Sequence, residues 1–143
     1  MKQVFAILAA SLLLWSCQEA DSKAGEAAGD TKDGGNYTTI QWVDSINQDL
    51  GKIKEGQVIE ISYRFKNAGE KNLIIEDVRA SCGCTVPEKP EKPFAPGEEG
   101  VIRAKFDSKG RVGPQNKTVT VQSNTAPQRE YYLTFKVEVE AEK

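Results

Sequence analysis

Val58-Ile59-Glu60-Ile61-Ser62-Tyr63-Arg64-Phe65-Lys66 sets Ile59, Ile61, Tyr63 and Phe65 on one side of an extended chain and Glu60, Ser62, Arg64 and Lys66 on the other. Alternation with a period of two marks a strand with one face in a core and one in water. Asn67-Ala68-Gly69-Glu70 follows, with Asn and Gly tolerant of positive φ, so a hairpin or tight corner leads to the run opened by Leu73-Ile74-Ile75. The same alternation returns in Val101–Phe106, in Thr118–Val121 and from Tyr131 to Val139, and Thr38–Val43 makes a sixth run. Between the runs stand breakers: Pro87, Pro90, Pro93 and Pro96-Gly97, then Gly110 and Gly113-Pro114, then Ala126-Pro127. No helical period lasts. Short strands at this spacing, each with one wet face, predict an all-β antiparallel sandwich of about 100 residues of the immunoglobulin-like type. Gly51 and Gly56 around Ile53 read as a turn between the first two strands, and Pro96-Gly97 as a type II turn leading into Val101.

Upstream of the strands the chain changes character twice. Met1-Lys2-Gln3 is followed by the apolar run Val4–Trp15, the length of a signal-peptide core and short of the roughly 20 apolar residues a membrane-spanning helix needs. Leu14-Trp15-Ser16-Cys17 resembles the bacterial lipobox, which implies cleavage before Cys17 and acyl chains on the Cys17 sulfur and amine. More than one buried chain gives stable anchoring, at about 0.8 kcal/mol per methylene. Gln18 follows the cysteine with no Asp to hold the protein at the inner membrane, so the resemblance points to the outer membrane of a bacterial envelope. Gln18–Asn36 contains no aromatic and no branched aliphatic residue, so it reads as a flexible spacer with a reach of roughly 24 Å. The expected organisation is therefore a signal peptide over 1–16, a lipidated Cys17 with its linker over 17–36, and one β-sandwich domain over 37–143.

Composition narrows the chemistry. A net charge of −2 lacks the basic excess that phosphate neutralisation demands, which argues against a nucleic-acid partner. Histidine is absent, and with it the usual general base and the commonest zinc or copper ligand. Serine without a His partner makes no Ser/His/Asp set, and no glycine segment ends in the Gly-Lys-Ser/Thr of a phosphate loop. No enzyme and no cofactor is expected.

Ser81-Cys82-Gly83-Cys84-Thr85 is the one constellation with chemical character. In an exported protein the two thiols can bridge, with Gly83 easing a cramped i, i+2 loop. They can instead stay free and pack as small hydrophobes. As two thiolates on one side of an extended segment they also suit a soft ion such as Cu(I), completed by a second molecule. Trp42, Tyr37 and Tyr132 would offer a sugar platform if the fold brought them together, although aromatics in a sandwich more commonly pack in its core or rim.

The segments Asp49–Gly56, Phe65-Lys66-Asn67-Ala68-Gly69, Ser81–Thr85, Pro96-Gly97-Glu98, Phe106-Asp107-Ser108 and Val121-Gln122-Ser123-Asn124 together resemble the bacterial family called domain of unknown function 1573, in order and spacing over most of Trp42 to Val139. The resemblance implies an immunoglobulin-like sandwich similar to domains of the abnormal-spindle, hydin and major-sperm-protein type, often exported as a lipoprotein, with no settled activity. Leu50 stands where that family usually has Phe. The resulting expectation is a non-enzymatic, membrane-anchored envelope protein that binds or scaffolds an envelope protein through a sheet edge or end loops. Its alternative is a thiol-redox or Cu(I) protein acting through Cys82 and Cys84.

Overall fold

Alternation along the described residues resolves into eight strands: β1 (Ile40–Trp42), β2 (Asn47–Lys54), β3 (Val58–Asn67), β4 (Ile75–Ala80), β5 (Thr85–Glu88), β6 (Glu99–Asp107), β7 (Gly113–Ser123) and β8 (Glu130–Glu140). The computed structural model describes residues 35–142. The expected signal peptide over 1–16, the lipidated Cys17 and the linker as far as residue 34 lie outside the described residues.

Two four-stranded sheets face each other, one in the order β1-β3-β6-β5 and the other β2-β8-β7-β4. Ile61, Tyr63 and Phe65 of β3 pack with Ile102, Ala104 and Phe106 of β6 against Val119 and Val121 of β7 and Leu133 and Phe135 of β8, all essentially inaccessible to water. The expected immunoglobulin-like sandwich is present, with one pairing that departs from the antiparallel rule: β2 runs parallel to β8. The cause lies in the path of the chain. It leaves the first sheet after Trp42 and enters the second at Asn47 without reversing, so β2 continues in the direction of β1.

Gly51 and Gly56 do not form one turn. Gly51, at φ 68°, sits at a register shift inside β2, and Gly56, at φ 82°, makes the corner into β3. Alternation was hard to see in β2 because its inward positions are Gln48, Leu50 and Ile53, with Gly51 breaking the phase. The Pro96-Gly97 turn is as read: Glu98 N donates to Ala95 O at 3.0 Å and Gly97 lies at φ 80°. Gly69 serves a different purpose from the expected one, since a Cβ there would fall 2.6 Å from the Thr39 backbone nitrogen.

Three short motifs turn out to be polar pins. Buried Asn67 accepts from Thr38 Oγ1 and Gly69 N and donates to the carbonyls of Lys71 and Phe94. Asn124 accepts from Ile74 N and donates to Asn36 O and Asn72 O. At the opposite end, the Ser108 hydroxyl is shared between Lys54 O and Gln57 O. Each satisfies loop groups whose burial without partners would cost about 1–3 kcal/mol apiece. The end holding Asn67 and Asn124 is called upper below, and the end holding Ser108 lower.

Candidate functional site

A sandwich has two lateral sides, and on each a single stretch of chain changes sheet halfway along. On one side β1 covers β3 only at Phe65–Asn67, after which β2 covers β8 from Thr134 to Glu140. On the other, β4 covers β7 from Val119 to Ser123, and β5 then covers β6 from Arg103 to Phe106. Among the described residues four half-strands therefore lack a neighbour on their outer side.

The two upper ones are roofed by aromatic side chains. Phe94 stacks edge-on against Phe65 at 4.9 Å above the upper part of β6, and its backbone exchanges hydrogen bonds with Leu73 in both directions. Trp42 stacks edge-on against Tyr131 at 5.7 Å beside the upper part of β8. Inward residues there, Ile102 and Leu133, are both 0% exposed.

The lower half of β7 is exposed but guarded. Pro114 has no N–H to offer, the Thr118 N–H is taken by Ser81 Oγ, and the inward positions hold Gln115 and Lys117. Polar residues pointing inward at an edge make a poor template for another strand.

The lower half of β3 differs in each respect. The ladder with β6 uses the backbone of Ile59 and Ile61, which turns the N–H and C=O groups of Val58, Glu60 and Ser62 towards the free side. Among the described residues none of these three N–H groups has a hydrogen-bond partner, and only the Ser62 carbonyl is engaged, by Gln48 Nε2 at 2.9 Å. Inward of the stretch stands Ile59, and across from it the inner face of β2 presents Leu50 and Ile53; all three are half-buried where Ile61 beside them is 1% exposed. The stretch is bounded above by Asp44, whose carboxylate accepts from the Arg64 N–H at 2.9 Å and grips its guanidinium at 2.7 Å. The Arg64 side chain, followed by its backbone N–H, holds the Asp44 carboxyl below its usual range.

The remaining edges are interrupted by local chemistry. In β5 the outward positions are Thr85, whose N–H donates to Cys82 O, and Pro87, which has none. In β4 the outward Val78 N–H is taken by Asp77 Oδ1. In β2 the Asn47, Gly51 and Lys54 N–H groups are taken by Ser45 Oγ, Asp49 Oδ1 and Gln57 Oε1.

Cys82 and Cys84 form a disulfide in the crossing between β4 and β5. Cys84 is buried and Cys82 half-buried, and the Thr85 hydroxyl lies 3.7 and 3.9 Å from the two sulfurs. In this form the pair offers no thiolate, and the bridge pins the sheet change on the guarded side. Among the described residues no three His, Cys, Asp or Glu side chains converge as a ligand set. The aromatic platform does not assemble. Trp42 is turned inward between Phe65 and Tyr131, Tyr132 points outward from β8, and Tyr37 lies beneath the Arg129 guanidinium at 5.7 Å.

A family model described as "Protein of unknown function (DUF1573)" matches residues 40–139. No curated protein matches the chain in sequence. Among solved structures, a protein of unknown function from Porphyromonas gingivalis W83 is 15% identical with a TM-score of 0.60, over 78% of this chain and 51% of that one. The chain thus spans about half the length of that relative. A human ASH/PapD-like domain, the seventh such domain of CEP192, is 10% identical with a TM-score of 0.59, over 85% of this chain and 98% of that one. The secreted serine protease VesC of Vibrio cholerae is 10% identical with a TM-score of 0.51 over 75% of this chain, but the match takes in only 24% of the protease. At these identities the likeness is one of fold.

Proposed function

The chain belongs to the DUF1573 family, and from that premise we propose that it is a non-enzymatic binding module of the bacterial envelope that takes up an extended segment of a protein partner along the lower half of β3. The observation that carries this reading is the row Val58, Glu60, Ser62, with free backbone groups above half-buried Leu50, Ile53 and Ile59. Strand addition draws its affinity from main-chain hydrogen bonds and its selectivity from alternate side chains, and this stretch supplies the means for both. Interruptions at β2, β4, β5 and β7 make those edges poorer templates for an added strand. The lipobox-like Leu14–Cys17 supports tethering of the domain to the outer membrane through acylated Cys17, with the following segment as spacer.

Site-specific photocrosslinking in cells tests the reading. A crosslinking residue at Glu60 is expected to give a discrete envelope adduct, and the same residue at Glu88 on β5 is expected to give none. Equal adducts from both positions, or none from Glu60, would remove the reading. Anchoring is tested separately: Cys17→Ser should move the protein from the membrane to the soluble fraction.

A further inference from the structure

The lower half of β3 also specifies the chemistry of its occupant, an inference that rests on the binding reading above. We infer that the partner segment is extended and carries a basic residue flanked on both sides by branched aliphatic residues, the basic residue lying opposite Glu60.

The pleat fixes this pattern. Because the backbone groups of Glu60 point to the free side, a strand laid there antiparallel to β3 forms a hydrogen-bonded pair at Glu60, and its residue at that point faces outward with the Glu60 side chain. That carboxylate is half-exposed; on its β6 side Arg103 stands at 3.6 Å and Lys105, directly opposite, is drawn to Glu88 at 3.1 Å, so a Lys or Arg across the new pair would give Glu60 a partner on its free side as well. Opposite charges facing across a strand pair are favourable and like charges are not. The two neighbours of that basic residue point inward, onto the half-buried surface of Leu50, Ile53 and Ile59. Apolar side chains there take the positions a longer β1 would have filled, opposite the inner face of β2.

Two other occupants fit less well. In a second copy of this chain, the antiparallel register that uses all three free positions pairs Val58 with Ser62 and sets Glu60 against Glu60, two like charges directly opposed. The chain's own Gln18–Asn36 segment contains no apolar side chain larger than alanine, so it cannot fill the inward positions. The Gln48 amide now on the Ser62 carbonyl stands where a partner's N–H would donate and has to yield when the segment binds.

The experiment uses the full-length chain in detergent micelles and two synthetic peptides, Ser-Val-Lys-Val-Thr and Ser-Val-Glu-Val-Thr, with amide hydrogen exchange and titration as readouts. The lysine peptide is expected to slow exchange at Val58, Glu60 and Ser62 and to bind about fivefold more tightly than the glutamate peptide. Glu60→Lys should reverse that order, and Glu60→Gln should abolish the difference. Both substitutions lie on the exposed face, and an unchanged thermal midpoint shows the fold intact. Equal binding of the two peptides, with the three amides protected by both, would overturn the basic-residue pattern while leaving the edge as a binding site. Protection by neither peptide would overturn the binding reading itself. Protection of the same amides that grows with protein concentration and no peptide present would identify a second copy as the occupant and overturn the inference.

Discussion

The lower halves of β3 and β7 lie on opposite lateral sides of the sandwich and arise in the same way, because a covering segment deserts each of them halfway to join the other sheet. They were left uncovered alike and finished differently. On β7, Pro114 removes a donor, Ser81 takes another, and Gln115 and Lys117 occupy the inward phase. On β3 three donors have no partner among the described residues and the inward phase is Ile59 and Ile61, with half-buried Leu50 and Ile53 on the facing sheet. Ladder geometry alone does not make an edge a binding site. The inward-facing residues decide, since backbone hydrogen bonds exchanged with water contribute little net, about 0.5–1.5 kcal/mol each, unless apolar burial accompanies them.

Substitutions can break or sharpen this contrast. Ile61→Ala removes a fully buried side chain and should cost about 2–5 kcal/mol in urea unfolding, whereas Leu50→Ala, at a half-buried position, should cost only about 1 kcal/mol. Equal losses would mean that Leu50 is as well packed as the core. Next in size is the paired change Cys82→Ser with Cys84→Ser. So small a loop constrains the unfolded chain by no more than about 1–2 kcal/mol, so the loss should fall in that range and reduction of the native protein should reproduce it. Lys117→Val should change stability by less than about 0.5 kcal/mol, yet it replaces the inward guard of β7 with an apolar side chain. Sedimentation should then show self-association that the parent protein lacks. The smallest effect belongs to Tyr63→Phe. Among the described residues the buried Tyr63 hydroxyl has no hydrogen-bond partner, and burial pushes its pKa up to about 12, so its removal should leave the thermal midpoint unchanged or slightly higher.

Four strands, β3, β6, β7 and β8, were legible because each buries a run of alternate apolar residues, which imposes a clean alternation on that part of the sequence. β2 and β5 were not. β2 buries its inner face only by half and carries a glycine at a register shift, so Gln48, Leu50 and Ile53 do not stand out from their polar neighbours. β5 has four residues and includes Pro87, a residue that argues against a strand unless its missing N–H faces the open side, as it does here. The Cys82-Gly83-Cys84 pair could be singled out by residue type, but whether it bridged depended on the crossing it sits in. The lower half of β3 left no local signature, for its exposure depends on β1 ending at Trp42 and not on anything in Val58–Ser62. The Asn67, Ser108 and Asn124 motifs were visible in the sequence, and only the loops they hold reveal that their work is structural.

Residue-resolved amide exchange on the full-length chain, with no ligand added, tests the open edge most directly. Along β3 the amides of Ile59 and Ile61, bonded to β6, should exchange slowly, and those of Val58, Glu60 and Ser62 should exchange orders of magnitude faster, while Pro114 and the bonded Thr118 leave β7 without such a row. Uniform slow exchange from Val58 to Ser62 would mean that this side of the strand is already covered, and would contradict the open edge on which the proposed function stands.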